Sequence, residues 1–162
     1  MPATAQPQSE NFLVYMNLEH GIWMKYPSSW DKQEDLGANA FGVYFASPQE
    51  DPFDQFRENL NVIVEPLPQP MTLEQVVAAN RQNLLEGLQV TFVENAMPDK
   101  IGGLPAYRTV YTGAMMGRSL KWLQYYAVKG DRAYYVTYTA EPNKFDKFLG
   151  TIQQMVASLE IQ

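Results

Sequence analysis

Residues 118–159, RSLKWLQYYAVKGDRAYYVTYTAEPNKFDKFLGTIQQMVASL, decide the fold. Ser119–Val128 and Ala133–Thr139 are dense in Tyr, Trp, Val and Leu, and they flank the polar turn Lys129-Gly130-Asp131-Arg132. Residues of these types favour the pleated, half-buried surface of a strand, so the pair reads as a hairpin. After Pro142, the apolar residues Phe145, Phe148, Leu149, Ile152, Met155, Val156 and Leu159 recur at helical spacing along one face. A stripe that regular needs a broad apolar surface to cover, and the hairpin before it supplies one. The stretch predicts a sheet with a helix laid across it.

Working outward, the first two thirds supply further strands and one more helix. Phe12–Leu18 alternates, Glu19-His20-Gly21 turns, and Ile22–Tyr26 resumes as a strand, giving an N-terminal hairpin. Pro27 stops the ladder because it has no N–H to donate. Asp31–Asn39 is polar and reads as a loop with one helical turn. Phe41–Ala46 is a short strand, Ser47–Glu58 a loop with two prolines, and Leu60–Glu65 a strand closed by Pro66, Pro68 and Pro70. Thr72 and Gln75 have capping-box spacing at the start of a helix on which Leu73, Val76, Val77, Asn80, Leu84 and Leu88 share a side; Gly87 suits a left-handed terminal position. Strands follow at Leu88–Glu94 and Ala106–Thr112, separated by a Gly102-Gly103-Leu104-Pro105 turn, and Gly113–Gly117 reads as a flexible turn. The order β-β-β-β-α-β-β-β-β-α, with short connections, predicts an α+β fold. Its antiparallel sheet has about six to eight strands by this reading, with helices on one or both faces. Residues 1–11, MPATAQPQSEN, read as a disordered linker or tag remnant, and 12–162 as one domain.

Composition narrows the chemistry. The chain has 162 residues, 46% hydrophobic and 19% charged, enough to bury a substantial core. The absence of cysteine removes disulfides, thiolate zinc sites and thiol nucleophiles. The net charge of −6 argues against nucleic acid, whose phosphates need clustered Lys and Arg. That charge is uneven: residues 1–71 hold ten acids against three bases, and the remainder eight against nine. No apolar run approaches a membrane span.

Candidate sites are few. His20, the single histidine, lies in a turn without a second histidine or a nearby nucleophile, and reads as a surface residue; a hydrolase would need it in a concave site with a carboxylate. Glu50, Asp51 and Asp54 form the tightest acid cluster. Their oxygens suit a hard cation such as Ca²⁺, but the spacing lacks an EF-hand's glycine and terminal Glu. A solvated acidic loop anchored by Phe53 or Phe56 is the favoured reading, with no metal and no cofactor. Tyr125, Tyr126, Tyr134, Tyr135 and Tyr138 with Trp122 could form a stacking platform; in an acidic chain they read instead as cross-strand pairs that stabilise the sheet. Met115 and Met116 make an apolar loop tip. Glu50, Asp51, Asp54 and Arg57 in the loop, and Met115 and Met116 at the tip, are the candidate partner contacts.

With the element order in hand, the chain resembles the PsbP/Mog1/DcrB-like superfamily. The resemblance rests on Gly21-Ile22-Trp23-Met24-Lys25-Tyr26-Pro27-Ser28-Ser29-Trp30, an aromatic strand running through Tyr-Pro into a Trp corner. It also rests on Glu58-Asn59-Leu60-Asn61-Val62 after the acidic loop, the Tyr-rich hairpin, the Phe-bearing helix and the closing Ser158-Leu159. It spans about residues 12–161. It implies an α-β-α sandwich around an antiparallel sheet, used for binding and not for catalysis. PsbP-like members are peripheral subunits or assembly factors of photosystem II on the lumenal side of thylakoids. Bacterial relatives include periplasmic lipoproteins, and Mog1-like members bind a small GTPase. The long N-terminal extension of plant PsbP and a lipobox cysteine are both missing from these residues, which speaks against a direct role in oxygen evolution.

The function expected on this basis is a non-enzymatic extracytoplasmic binding or assembly protein, associated with photosystem II. Its partner would be a protein, in a membrane-associated complex, with peripheral attachment to the membrane. Periplasm or thylakoid lumen is expected if a removed signal or lipobox preceded residue 1, and the cytoplasm otherwise. The alternative is a cytoplasmic adaptor or chaperone domain that grips a protein partner.

Overall fold

The computed structural model describes residues 11–35 and 40–162. Its strands are β1 (Phe12–Asn17), β2 (Ile22–Pro27), β3 (Asp31–Asp35), β4 (Phe41–Ala46) and β5 (Asn59–Pro66), followed by helix α1 (Leu73–Gly87). Then come β6 (Thr91–Ile101), β7 (Leu104–Met115), β8 (Arg118–Lys129), β9 (Arg132–Ala140), helix α2 (Phe145–Ser158) and the short β10 (Glu160–Ile161). The strands form a seven-stranded sheet, ordered β3-β4-β5-β9-β8-β7-β6, and a three-stranded sheet, β1-β2-β10. Among the described residues every ladder between these strands is antiparallel, and one isolated parallel bridge joins Gly102 to Glu160.

The decisive hairpin is β8–β9, in register from Lys121↔Ala140 to Lys129↔Arg132 around Gly130 at φ +61°. It occupies the middle of the large sheet, and strict side-chain alternation gives it two buried faces. Leu123, Tyr125 and Ala127 of β8 join the larger core cluster with Phe145, Ile152, Met155 and Val156 of α2. Leu120 and Trp122 point the other way, into a second cluster with Leu84 and Leu88. The two helices therefore cover opposite faces, which is the α-β-α sandwich that the resemblance implies. Each fully buried apolar side chain of α2 contributes about 1.5–3 kcal/mol. That helix also packs on β2 and so ties the small sheet to the large one.

Helix α1 is held differently. Its capping box forms as the sequence predicts, Thr72 Oγ1 accepting from Gln75 N–H and Gln75 Oε1 from Thr72 N–H. Along its length only Val76 is buried, and Leu73, Val77, Asn80 and Leu84 are half-buried. Gly87 is not its left-handed terminus. The helix runs through Gly87 and closes at Leu88, whose N–H reaches Leu84 O, and the left-handed residue is Gln89 at φ +51°.

Four further boundaries differ from the sequence reading. Asp31–Asp35 is a strand and not a helical turn; residues 36–39 lie outside the described ones. DKQED has no apolar alternation because it is an outer strand with all five residues exposed, held in line by its pairing to β4. Strand β6 begins at Thr91 and runs through Pro98, where an edge position tolerates the missing N–H. Leu104 and Pro105 belong to β7, so that turn is Gly102-Gly103 alone, both at positive φ. The turn at Gly113–Gly117 shrinks to Met116-Gly117, at φ +53° and +74°, between the paired Met115 and Arg118. Two positive-φ residues match the primed turn that suits the twist of a tight hairpin. The described residues hold ten strands, more than the pattern predicts, because β3 and the two-residue β10 carry no strand pattern of their own.

Candidate functional site

The predicted contact residues gather at one end of the large sheet, where the 47–58 loop, the β7–β8 tip and the start of α2 meet. Asp54 is the loop's internal clamp. Its carboxylate accepts from Glu50 N–H at 3.0 Å and from Phe56 N–H at 3.3 Å, and pairs with Lys144 at 3.3 Å. Its side chain is only 2% exposed, and these contacts, the Glu50 N–H foremost, hold its pKa below the usual aspartate value. Glu50 pairs with Lys147 at 2.6 Å and with Lys144 at 3.3 Å, which lowers its pKa as well. Asp51 accepts from Phe53 N–H, and Arg57 donates to Ser47 O and pairs with Asp31.

The loop is thus an ion-paired staple onto α2, and its acids are not simply solvated. Lysines stand against the carboxylates a cation would use, and no metal-ligating group of three occurs among the described residues. Phe56, packed on the second core cluster, is the loop's anchor; Phe53 is 88% exposed.

Arg118 joins the hairpin tip to this loop. It pairs with Glu141, reaches Gln55 Oε1 at 3.5 Å and lies over the Phe56 ring at 5.7 Å. Phe53 and Arg118 line the same small concavity with Lys144 and Glu141. Met115 and Met116 extend from that tip, 40% and 97% exposed. An ion-paired base therefore presents Phe53, Met115 and Met116 outward. The sequence points to the methionines and the acids but leaves the anchor as Phe53 or Phe56. Its signal was available, because Phe53 sits between two loop acids while Phe56 is followed by the buried strand.

Glu58 was not among the candidates, yet it is completely buried where the loop enters β5. One carboxylate oxygen accepts from Glu141 N–H at 3.0 Å; the other, and Ser47 Oγ, have no hydrogen-bond partner. Burial pushes its pKa up.

His20 is half-buried and stacks on Phe41 with ring centroids 4.2 Å apart, so it is not the open surface residue the turn suggests. Its ring has no carboxylate or hydroxyl partner among the described residues. Tyr125, Tyr126, Tyr134 and Tyr138 are buried and Tyr135 half-buried, which leaves no stacking platform open to solvent. Three of them support the interior: Tyr138 donates to Phe145 O, Tyr126 stands edge-on to Tyr135, and Tyr126 reaches Gln124 and Asn80.

Larger hollows flank the sheet among the described residues, including one of about 340 Å³ between α1 and the end of β5. One of about 320 Å³ opens between α1 and the β6–β7 ribbon. Another of about 480 Å³ lies on the opposite face, beside α2, where Arg108 is clamped between Glu94 at 2.6 Å and Asp99 at 2.9 Å.

Among solved structures, the chain is similar to cyanobacterial PsbP (CyanoP) from Synechocystis sp. PCC 6803, at 17% identity, covering all of both chains with a TM-score of 0.69. The chain has the PsbP/Mog1/DcrB-like fold. It also resembles LpqN, involved in cell envelope biogenesis of Mycobacterium tuberculosis, at 12% identity over 87% of this chain and 83% of that one, TM-score 0.66. A third similar structure is PA94 of Pseudomonas aeruginosa, a protein of unknown function, at 16% identity over 88% and 92%, TM-score 0.62. No family model and no curated protein matches the sequence. At these identities the likeness is one of fold. No helix among the described residues is long and apolar enough to cross a membrane.

Proposed function

We propose that this chain is a non-enzymatic binding domain of the PsbP-like kind. It works outside the cytoplasm and docks a protein subunit of a membrane-associated complex, as an assembly factor does, with photosystem II the first complex to test. Met116 carries this reading. It is almost fully exposed and sits at φ +53°, a conformation that favours Gly and Asn and costs another residue about 1 kcal/mol. An apolar side chain there serves neither solubility nor turn stability, and strained positions that persist point to use. Phe53, on the loop that Arg118 of the same tip reaches, adds a second exposed apolar side chain, and the lysine–carboxylate staple holds that loop. Aromatic and methionine side chains on a rigid base are the usual anchors of protein interfaces. The likeness to CyanoP and LpqN supports the extracytoplasmic placement.

The test replaces Met116 by Asn. The variant is expected to be more stable by about 0.5–1 kcal/mol, because Asn tolerates the left-handed turn. It is also expected to lose association with the membrane complex. A photocrosslinker at position 116 in the native host should capture a membrane-complex subunit. Crosslinks confined to cytoplasmic proteins would instead support an adaptor role, and undiminished association of Met116→Asn would overturn the assignment of this tip.

A further inference from the structure

We propose that the cleft between α1 and the β6–β7 ribbon binds a small amphiphilic acid, an apolar body ending in a carboxylate or sulfonate. The cleft exists because α1 rests on the sheet lightly. With only Val76 buried, its Val77 and Ala78 side stands away from β6 and β7 and leaves about 320 Å³ open. That volume lies at the lower end of the range for small-molecule sites. Its walls are largely apolar or aromatic, with Val77, Ala78, Phe92, Ala96, Tyr107 and Tyr126 among them. The register shifts of β6 between Phe92 and Met97 break the alternation where Asn95 and Ala96 turn into the cleft.

The floor is fixed in advance. Tyr126 Oη lies 3.0 Å from Asn80 Oδ1 and 2.8 Å from Gln124 Oε1, and Gln124 Oε1 also accepts from Tyr111 Oη at 2.9 Å. This network pins the helix to the sheet at one point and satisfies the floor's polar atoms, so the ligand meets a preorganised surface.

Charge gives the ligand its polarity. Arg81 lines the cleft with its guanidinium over the Phe92 ring at 4.9 Å, and it has no carboxylate partner among the described residues. Arg57 and Arg118 each have one, and Arg108 has two. Glu74, two helical turns away or about 10 Å along the axis, lines the opposite end and accepts from Tyr107 Oη at 3.5 Å. An acid is therefore drawn to the Arg81 end and repelled from the Glu74 end, which orients an elongated amphiphile. Arg81 is exposed, so its pairing with an incoming anion is that of a surface ion pair: it sets the ligand's direction, and the apolar walls supply most of the contact.

The probes are 8-anilinonaphthalene-1-sulfonate, octanoate and octanol. The sulfonate probe is expected to bind the folded protein saturably at one site and to be displaced by octanoate about threefold better than by octanol. Arg81→Gln should erase that preference, and Ala78→Trp, on an exposed helix position, should fill the cleft and abolish binding with the circular dichroism spectrum retained. On the wild-type protein, octanoate should shift the amide resonances of Ala96, Tyr107 and Thr109 and leave those of Phe53 and Met116 in place. Saturable binding that is absent, equal displacement by octanol, or shifts centred on Phe53 and Met116 would each overturn the proposal. The last result would bear on the tip and not on the cleft, so the two readings fail separately.

Discussion

At the scale of single residues, two carboxylates a few positions apart have opposite relations to pH. Asp54 is held ionised by two backbone N–H donors and Lys144, so its folded pKa lies below the unfolded value. Its stabilisation is complete above the ordinary aspartate range and is lost as pH falls through the lowered folded value. Asp54→Asn, which keeps one acceptor oxygen and loses the charge, should cost about 1–3 kcal/mol at neutral pH. In urea melts that difference should close as the pH is taken below the aspartate range. Glu58 is the reverse. Burial raises its folded pKa, so the folded state resists ionisation, and the penalty grows as pH rises from the ordinary glutamate range through the raised value. Glu58→Gln keeps an acceptor for Glu141 N–H and removes the charge from a buried side chain whose other oxygen has no partner. It should stabilise the protein by about 1 kcal/mol at pH 7 and by nothing at pH 4, where Glu58 is itself protonated. Neither residue declares its role in the sequence, because burial of a loop acid depends on what the fold lays over it.

At the scale of elements, the small sheet closes through an approach that only glycine permits. A Cβ on Gly102 would stand 2.6 Å from Ile161 Cγ1 and 2.9 Å from its Cδ1, and Gly102 is at φ +56° besides. Ile161 is buried in β10, so it has little room to retreat. At Gly103, φ +78°, an added Cβ meets nothing within 4 Å. Gly103→Ala should therefore cost only the conformational strain of about 1 kcal/mol. Gly102→Ala should cost about 2–4 kcal/mol, since overpacking adds to that strain. Denaturant midpoints at unchanged m would measure both.

The same elements show what was legible in the chain. The stripe of α2 and the Tyr-rich β8–β9 pair could be read directly, because a helix and two central strands bury the faces their periodicity predicts. Strand β3 could not, since DKQED has no buried face and is strand only by pairing with β4. Nor could β10, which two residues cannot announce. The looseness of α1, and hence the cleft, was hidden behind an apolar spacing that looked complete while the sheet left most of it half-covered. At the candidate rim, the methionine tip was readable, but the concavity in which Phe53 meets Arg118 and Lys144 was not, because those two are distant from the loop in sequence.

At the scale of the whole molecule, the sheet edges are protected unequally. An unpaired strand invites another chain unless charge, proline or irregularity blunts it. In the large sheet, β3 is all polar and fully exposed, and β6 carries Pro98 and two register shifts. In the small sheet β1 is the outermost strand among the described residues; FLVYMN holds no charge, and Leu13, Val14 and Met16 are each about half exposed. Tyr15, by contrast, is buried and donates to Glu34. Association through β1 is therefore expected at high protein concentration, opposed by the net charge of −6. Met16→Lys separates these two influences. It brings the net charge nearer to zero, which by itself favours association, while placing a lysine on the exposed face of the edge. If the edge governs, light scattering across a concentration series should show less association for Met16→Lys than for the wild type, and Met16→Glu should behave alike. Stability should stay within about 0.5 kcal/mol, as for other surface changes. More association in Met16→Lys than in Met16→Glu or the wild type would assign the behaviour to net charge and remove β1 from consideration.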